Sequence, residues 1–275
     1  MDMITAQGMR MGKLGLGTFR LTGAACVEAV EMALSLGYRH IDTAEMYGNE
    51  EAVGEAMRRS GVARDDIHVT SKVWWEHLDD AAMTKAIDDS LTKLNQEFVD
   101  LYLVHWPKTE MDVGRVMDSL VRIKDSGKAR AVGVANFPSA LLRQAAAMAP
   151  LACNQVEYHV LLSQDALLAT QRELGIPLVA YAPLAQGRLA EHEALRAIGA
   201  KHGATPAQVA LKWLLDQEGV AAIPKASRRE SQQANLDALK VMLDDEDRAA
   251  IAKLPKGERF VKPGFAPIWD EALAA

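Results

Sequence analysis

The chain has few of the residues from which specialised frameworks are built. It contains two cysteines, Cys26 and Cys153, far apart and each inside an apolar run. Two such thiols argue against a disulfide scaffold or a cysteine zinc site and read as buried. No stretch reaches the roughly 18 to 20 apolar residues of a membrane span. The opening MDMITAQGMRMGKLG has no apolar core of secretory-signal length. Positive charge is not in excess: the formal net charge is -6, which points away from nucleic acid and towards small-molecule partners. No linker, low-complexity tract or composition shift divides the sequence. The expectation is one domain over residues 1–275, cytoplasmic, with neither nucleic-acid nor membrane partners.

Apolar material, by contrast, is plentiful. The 275 residues are 49% hydrophobic, enough for a large core. Short apolar runs alternate with helical patterns along the whole chain. Strands are predicted at 13–19, 38–42, 66–74, 98–106, 129–137, 151–158, 176–183 and 219–227. Helices are predicted near 25–37, 50–59, 80–95, 114–126, 138–148, 163–174, 191–202 and 205–218, and one more follows the last strand. Thr205-Pro206-Ala207-Gln208 has the form of a capping box with proline at the first helical position. Near-continuous apolar strands are those buried on both faces, and their alternation with helices means a parallel sheet. Eight strand–helix units predict an α/β fold of the closed (β/α)8 TIM-barrel type. The rival, an open dinucleotide-binding sheet, needs GxGxxG after its first strand. Gly15-Leu16-Gly17-Thr18-Phe19-Arg20 lacks the third glycine. The N-terminal segment and the C-terminal tail are expected over the rims.

In a parallel barrel all C-terminal strand ends open on one rim. Asp42 ends the second strand, with Tyr47 in the loop beyond. Lys72 ends the third, His105 the fourth and Asn136 the fifth. Gln155 lies on the sixth, Tyr181 on the seventh, and Lys225 closes the eighth. The opposite strand ends show no comparable set. Each residue alone has an ordinary structural reading: a packed tyrosine, an ion pair, a satisfied core histidine. Together they suit one chemistry. A lysine beside a phenol is expected to lower the phenol's pKa, and an aspartate behind it keeps the lysine charged and aimed. A histidine can bond a substrate oxygen. The result is a proton donor for a carbonyl oxygen that is gaining negative charge.

A hydride has to come from a cofactor. Tyr181 could stack on a nicotinamide, and Asn136 and Gln155 could hold its carboxamide. Ser227-Arg228-Arg229-Glu230 reads as a second capping box, with the helix starting at Ser227. Arginines in a first turn oppose the helix dipole unless an anion binds there, and Lys225 adds a third positive charge. A solvated basic helix end is the plainer alternative.

The motifs GLGTF (15–19), GYRHIDTAEMYGNEEAVGEA (37–56), TSKVW (70–74), VDLYLVHWP (99–107), VGVANF (132–137), NQVEY (154–158), YAPLAQG (181–187) and IPKASRRESQQANL (223–236) resemble those of the aldo-keto reductases over nearly the whole chain. Within that family the chain is most similar to bacterial 2,5-diketogluconate reductases, which also reduce methylglyoxal. APIWD (266–270) supports that subgroup. The resemblance implies NADPH bound in extended form, with NADH less favoured, a small carbonyl substrate and a monomer. It puts the catalytic tetrad on Asp42, Tyr47, Lys72 and His105. It puts cofactor contacts on Thr18, Asp42, Asn136, Gln155, Tyr181, Leu184, Gln186, Lys225, Ser227, Arg228 and Asn235. The substrate pocket would be Phe19, Trp74, His105, Trp106 and Trp269, while Trp213 reads as packing.

Four positions depart from the family pattern. Ala226, Ser231 and Ala234 stand where many members carry serine, arginine and an acid, and Ala182 replaces a serine. These changes touch cofactor affinity rather than chemistry. The short 107–113 loop implies an open pocket and broad specificity. Two further readings stand beside the reductase: a cofactor-binding regulatory relative with little turnover, and a metal or phosphate-sugar enzyme. For the latter, His68, His77, His159, His192 and His202 look too scattered to be ligands.

Overall fold

A computed structural model describes residues 2–270. The chain begins with a hairpin, β1 (Met3–Ala6) and β2 (Met9–Gly12), then β3 (Leu16–Gly17) and α1 (Gly23–Ser35). There follow β4 (His40–Asp42), α2 (Glu50–Arg59), β5 (His68–Val73), α3 (Asp80–Leu94), β6 (Val99–Val104) and α4 (Val113–Asp125). Next come β7 (Ala129–Ala135), α5 (Ser139–Ala146), β8 (Leu151–Glu157), α6 (Asp165–Leu174) and β9 (Leu178–Tyr181). The chain continues with α7 (Glu193–His202), α8 (Pro206–Leu215), β10 (Val220–Ala222), α9 (Arg229–Asp237) and α10 (Asp245–Ala252).

Strands β3 to β10 form one parallel sheet in chain order. The sheet closes where Leu14 bridges Ala222 and Gly15 N donates to Ala222 O at 2.9 Å. The fold is a (β/α)8 barrel. Its strands form because they are covered on both sides: every residue of β5, β6 and β8 is buried. Most of its helices form because one face is apolar; in α9 the buried residues are the amides Gln232 and Asn235. In α1 Cys26, Val27, Val30, Ala33 and Leu34 are buried, at helical spacing, and Gly37 ends the turn at φ 101°. The Thr205–Gln208 capping box is present at the start of α8. Between β7 and β8 the register shifts around Gly133, where a Cβ would lie 2.7 Å from Cys153 O. That close approach requires glycine.

Two features were not anticipated. The first is the hairpin. Gln7 and Gly8 both take positive φ, 50° and 80°, as a two-residue hairpin turn demands. Alternate residues Met9 and Met11 then point into the barrel floor with Ile4, against Leu101 and Leu103. The second is that the opposite strand ends do carry a polar set. His40 and His68 open β4 and β5 with their rings 4.9 Å apart, edge to face. Asp100 beside them is bonded to Val69 N and paired with Arg64. No helix among the described residues is long and apolar enough to cross a membrane.

Candidate active site

Asp42 closes β4, and its register partner on β5 is Thr70. Lys72 lies two residues further along, so its side chain leaves the same face of the sheet. Lys72 Nζ donates to Asp42 Oδ1 at 2.5 Å and to Thr43 O at 2.8 Å. The two side chains are 0% and 2% exposed. The other Asp42 oxygen accepts from Gln155 Nε2 at 2.8 Å, and Thr18 donates through N and Oγ1 to Asp42 O. Burial pulls the Lys72 pKa below the usual lysine range, opposed by Asp42. Asn49, which the sequence did not single out, ties the turn together. It accepts from Thr43 Oγ1 and donates to Thr18 O and Leu21 O.

Tyr47 ends a single 3-10 turn, Glu45–Tyr47, which Gly48 terminates at φ 63°. Its ring centroid lies 5.1 Å from Lys72 Nζ and 5.5 Å from the His105 ring. The structure corrects one expectation here. Burial first, and then the Asp42 charge, holds the Tyr47 phenol well above its ordinary pKa. Burial is the larger influence, and the Lys72 charge beside the ring does not offset it. Tyr47 is therefore a phenol that keeps its proton at neutral pH. His105 follows β6, and burial with the nearby Lys72 charge holds its pKa well below the usual range. It is a neutral imidazole, one ring nitrogen donating and one accepting, and its buried Nδ1 has no hydrogen-bond partner.

The flanking residues are already wired to these four. Asn136 adopts φ 63°, donates through Nδ2 to His105 O at 2.9 Å, and accepts the Tyr181 hydroxyl at 2.8 Å. Leu184 and Gln186 lie in a turn in which Ala182, Ala185 and Gln186 all take positive φ. Lys225, Ser227 and Arg228 are exposed beyond β10, while Asn235 is buried on α9. The second capping box is absent. Helix α9 starts at Arg229, and its N-cap, Arg228, makes no side-chain cap. Ser227 falls one position too early because residues 223–228 run on past the strand. Gln232 Nε2 holds that run by bonding Ala226 O and Ala29 O. The first-turn N–H groups of α9 are thus left without a side-chain acceptor. Lys225, Arg228 and Arg229 stand beside them, and none has an ion-pair partner among the described residues. That arrangement fits a phosphate group.

On the other side of Tyr47 lie the aromatics. Phe19 is 5.0 Å from Tyr47, and Trp74 is 5.3 Å from His105, centroid to centroid. Trp106 is buried and packs on Trp269 at 6.1 Å. Phe265, which the sequence did not mark, packs on Trp74, Trp75 and Trp106 at 5.6, 4.9 and 5.6 Å. Trp213 packs instead on Tyr158 and Lys256. His202 is not isolated: it converges with Asp244 and Asp247 within 4.8 Å. Lys201 also bonds both carboxylates, so that cluster already holds its cation.

Residues 13–256 match the aldo/keto reductase family. The chain belongs to that family. It is 41% identical over 268 residues to methylglyoxal reductase DkgB of Escherichia coli O157:H7, covering 95% of this chain and all of that one. It is 40% identical over 258 residues to glyoxal reductase of Bacillus subtilis strain 168, covering 92% of each. A solved structure provisionally assigned as a 2,5-diketo-D-gluconic acid reductase B superposes with a TM-score of 0.95 at 38% identity, over 98% of both chains. The chain is thus an oxidoreductase of a family that reduces carbonyl groups with nicotinamide cofactors.

Proposed function

We propose that the protein is an NADPH-dependent reductase of small aldehydes and ketones. The substrate class would be dicarbonyls such as methylglyoxal and keto-sugar acids such as 2,5-diketo-D-gluconate, which the names of its relatives suggest. One observation carries the reading: a buried Asp42–Lys72 pair lies beneath a protonated Tyr47 and a neutral His105. A bound nicotinamide cofactor supplies the hydride. Asn136, Gln155 and Tyr181 would hold its ring, with Thr18, Leu184 and Gln186 along its length. Lys225, Ser227, Arg228 and Asn235 would take the adenosine end, and the three nearby cations favour a 2′-phosphate over none.

His105 donates a hydrogen bond to the substrate carbonyl oxygen and so fixes the carbonyl over the Tyr47 hydroxyl. As the carbonyl carbon gains the hydride, its π electrons move onto oxygen. Tyr47 then gives that oxygen its proton. The phenolate left behind gains the Lys72 ammonium as its counter-charge. Asp42 keeps Lys72 in place, and Phe19, Trp74 and Trp106 exclude water. Methylglyoxal leaves as a hydroxy-carbonyl compound, one alcohol in place of one carbonyl. A monomer working in the cytoplasm completes the proposal.

The test is loss of NADPH absorbance with methylglyoxal and 2,5-diketogluconate, with NADH run in parallel. Tyr47→Phe should lower kcat by about 10²–10⁴-fold while NADPH binding persists. Full activity in that variant would remove Tyr47 from its role. No turnover by the native protein, with NADPH still bound, would favour a regulatory relative.

A further inference from the structure

The last described residues form a strap across the aromatic side of the rim, and the strap is anchored at both ends. At its root the anchor is Glu157, the final residue of β8, which is fully buried. Its carboxylate accepts from Phe260 N at 2.8 Å and Val261 N at 2.9 Å, and His159 Nε2 lies at 3.2 Å. At the tip the anchor is Asp270. Both its oxygens accept from Ser139 N at 3.1 Å, and Oδ2 also accepts from Ser139 Oγ at 2.7 Å. Between the anchors, the described contacts of the strap with the barrel are ring packing. Phe265 meets three tryptophans, and Trp269 lies between Trp106 and the Arg259 guanidinium, whose carbon is 3.8 Å above its ring.

Ser139 is the first residue of α5, and the N-cap before it is Pro138. Proline has no side-chain acceptor, so the first turn of α5 cannot be capped locally. Asp270 supplies the missing acceptor from the far end of the chain, with a negative charge where the helix dipole favours one. The same β7–α5 turn carries Asn136, which is bonded to His105 O. The strap is therefore fastened to the segment that also holds the centre of the site.

We infer that Asp270 is a positioning residue: its bonds to the start of α5 latch the 258–270 strap and hold Phe265 and Trp269 as a wall of the substrate pocket. The latch sets how well small carbonyl compounds are gripped and which larger ones are refused. In its catalytic part the inference rests on the reductase reading; the latch itself does not.

Three variants of the full chain separate these parts: Asp270→Ala, Asp270→Asn and Ser139→Ala. Amide hydrogen exchange of peptides spanning 258–270 and 137–145 reads the latch directly and needs no turnover. Both peptides should exchange faster in Asp270→Ala. Asp270→Asn, which keeps one acceptor oxygen, should lie in between, and Ser139→Ala, which keeps the amide bonds, closest to native. With NADPH saturating, Asp270→Ala should raise KM for methylglyoxal by roughly tenfold, about what one charge-assisted hydrogen bond is worth. The kcat should stay within about twofold, as expected when binding shared by ground and transition states is lost. A bulky aromatic aldehyde should gain in kcat/KM relative to methylglyoxal. Unchanged exchange in Asp270→Ala overturns the latch. Faster exchange with kcat falling and KM unchanged overturns its role in positioning the wall. If the native protein turns over no carbonyl compound, the reductase reading fails, and the exchange measurement still decides the latch.

Discussion

The two ends of the barrel bury ionisable side chains in opposite ways. At the rim an ion pair, Asp42–Lys72, is buried with its charges opposed, and its ring contacts lead outward to Tyr47, His105 and the aromatic wall. At the floor His40 and His68 are kept uncharged by burial, His40 held down to about 4. The β1–β2 hairpin covers them: Gly12 O lies 3.3 Å from His40 Nδ1, and Met9 and Met11 seal the space. Depth alone therefore does not mark a functional group. The rim groups adjoin side chains left partly exposed, Tyr47 and Trp74, and the floor groups are covered by the hairpin.

The contrast can be broken first at its strongest point. Lys72→Met leaves the Asp42 carboxylate buried without its counter-charge and should cost about 3–5 kcal/mol in urea unfolding, along with activity. The double variant Asp42→Asn with Lys72→Met should recover most of that stability and none of the turnover. Recovery of both would show the pair to be structural only.

The floor makes the next largest prediction. His40 has its pKa lowered by burial from an ordinary 6.5 to about 4. The unfolded chain therefore binds a proton that the folded chain refuses between those values. This stability is fully present above about pH 6.5 and is lost as pH falls towards 4, by up to on the order of 3 kcal/mol. His40→Gln should flatten that part of the pH profile of unfolding. An identical slope in the variant would assign the effect elsewhere.

Smaller still is Gly15→Ala. A Cβ there would lie 2.5 Å from His40 Nδ1, and the ring has no room to retreat under the hairpin. The overpacking should cost about 1–3 kcal/mol. Activity per folded molecule should be unchanged, because the clash is at the floor. A fall in kcat would mean that the two ends communicate.

What the sequence revealed follows from how local each signal is. The periodic helix α2 was legible to the residue, and so was the Thr205 cap, because both depend on neighbours a few positions apart. The rim set was legible because parallel barrel geometry converts strand order into position: Asp42 and Lys72 meet as their strands require. The apparent cap at Ser227 failed because extended backbone, held by Gln232, carries the chain past the expected helix start. The tail gave no periodic signal, so Phe265 and the Asp270 contact with Ser139 were not legible; they depend on where the whole barrel places α5. The hairpin did leave a trace, the alternation of Met9 and Met11 after Gln7-Gly8, too short to mark a pair of strands. The proton affinity of Tyr47 was misjudged because it is set first by burial, which only the folded barrel determines.

The seam of the barrel has a consequence for how the molecule comes into being. Leu14 and Ala222, the residues that join it, lie some two hundred residues apart in the chain, and the closing hydrogen bond from Gly17 N to Pro224 O ends just before Lys225. Contacts so distant in sequence are entropically late to form and slow folding. During synthesis the open sheet must wait, its last strand still unmade, and the cofactor-side rim cannot be completed before the barrel itself is closed. Folding and acquisition of the site are then a single event, and a truncated chain ending before Ala222 gains neither.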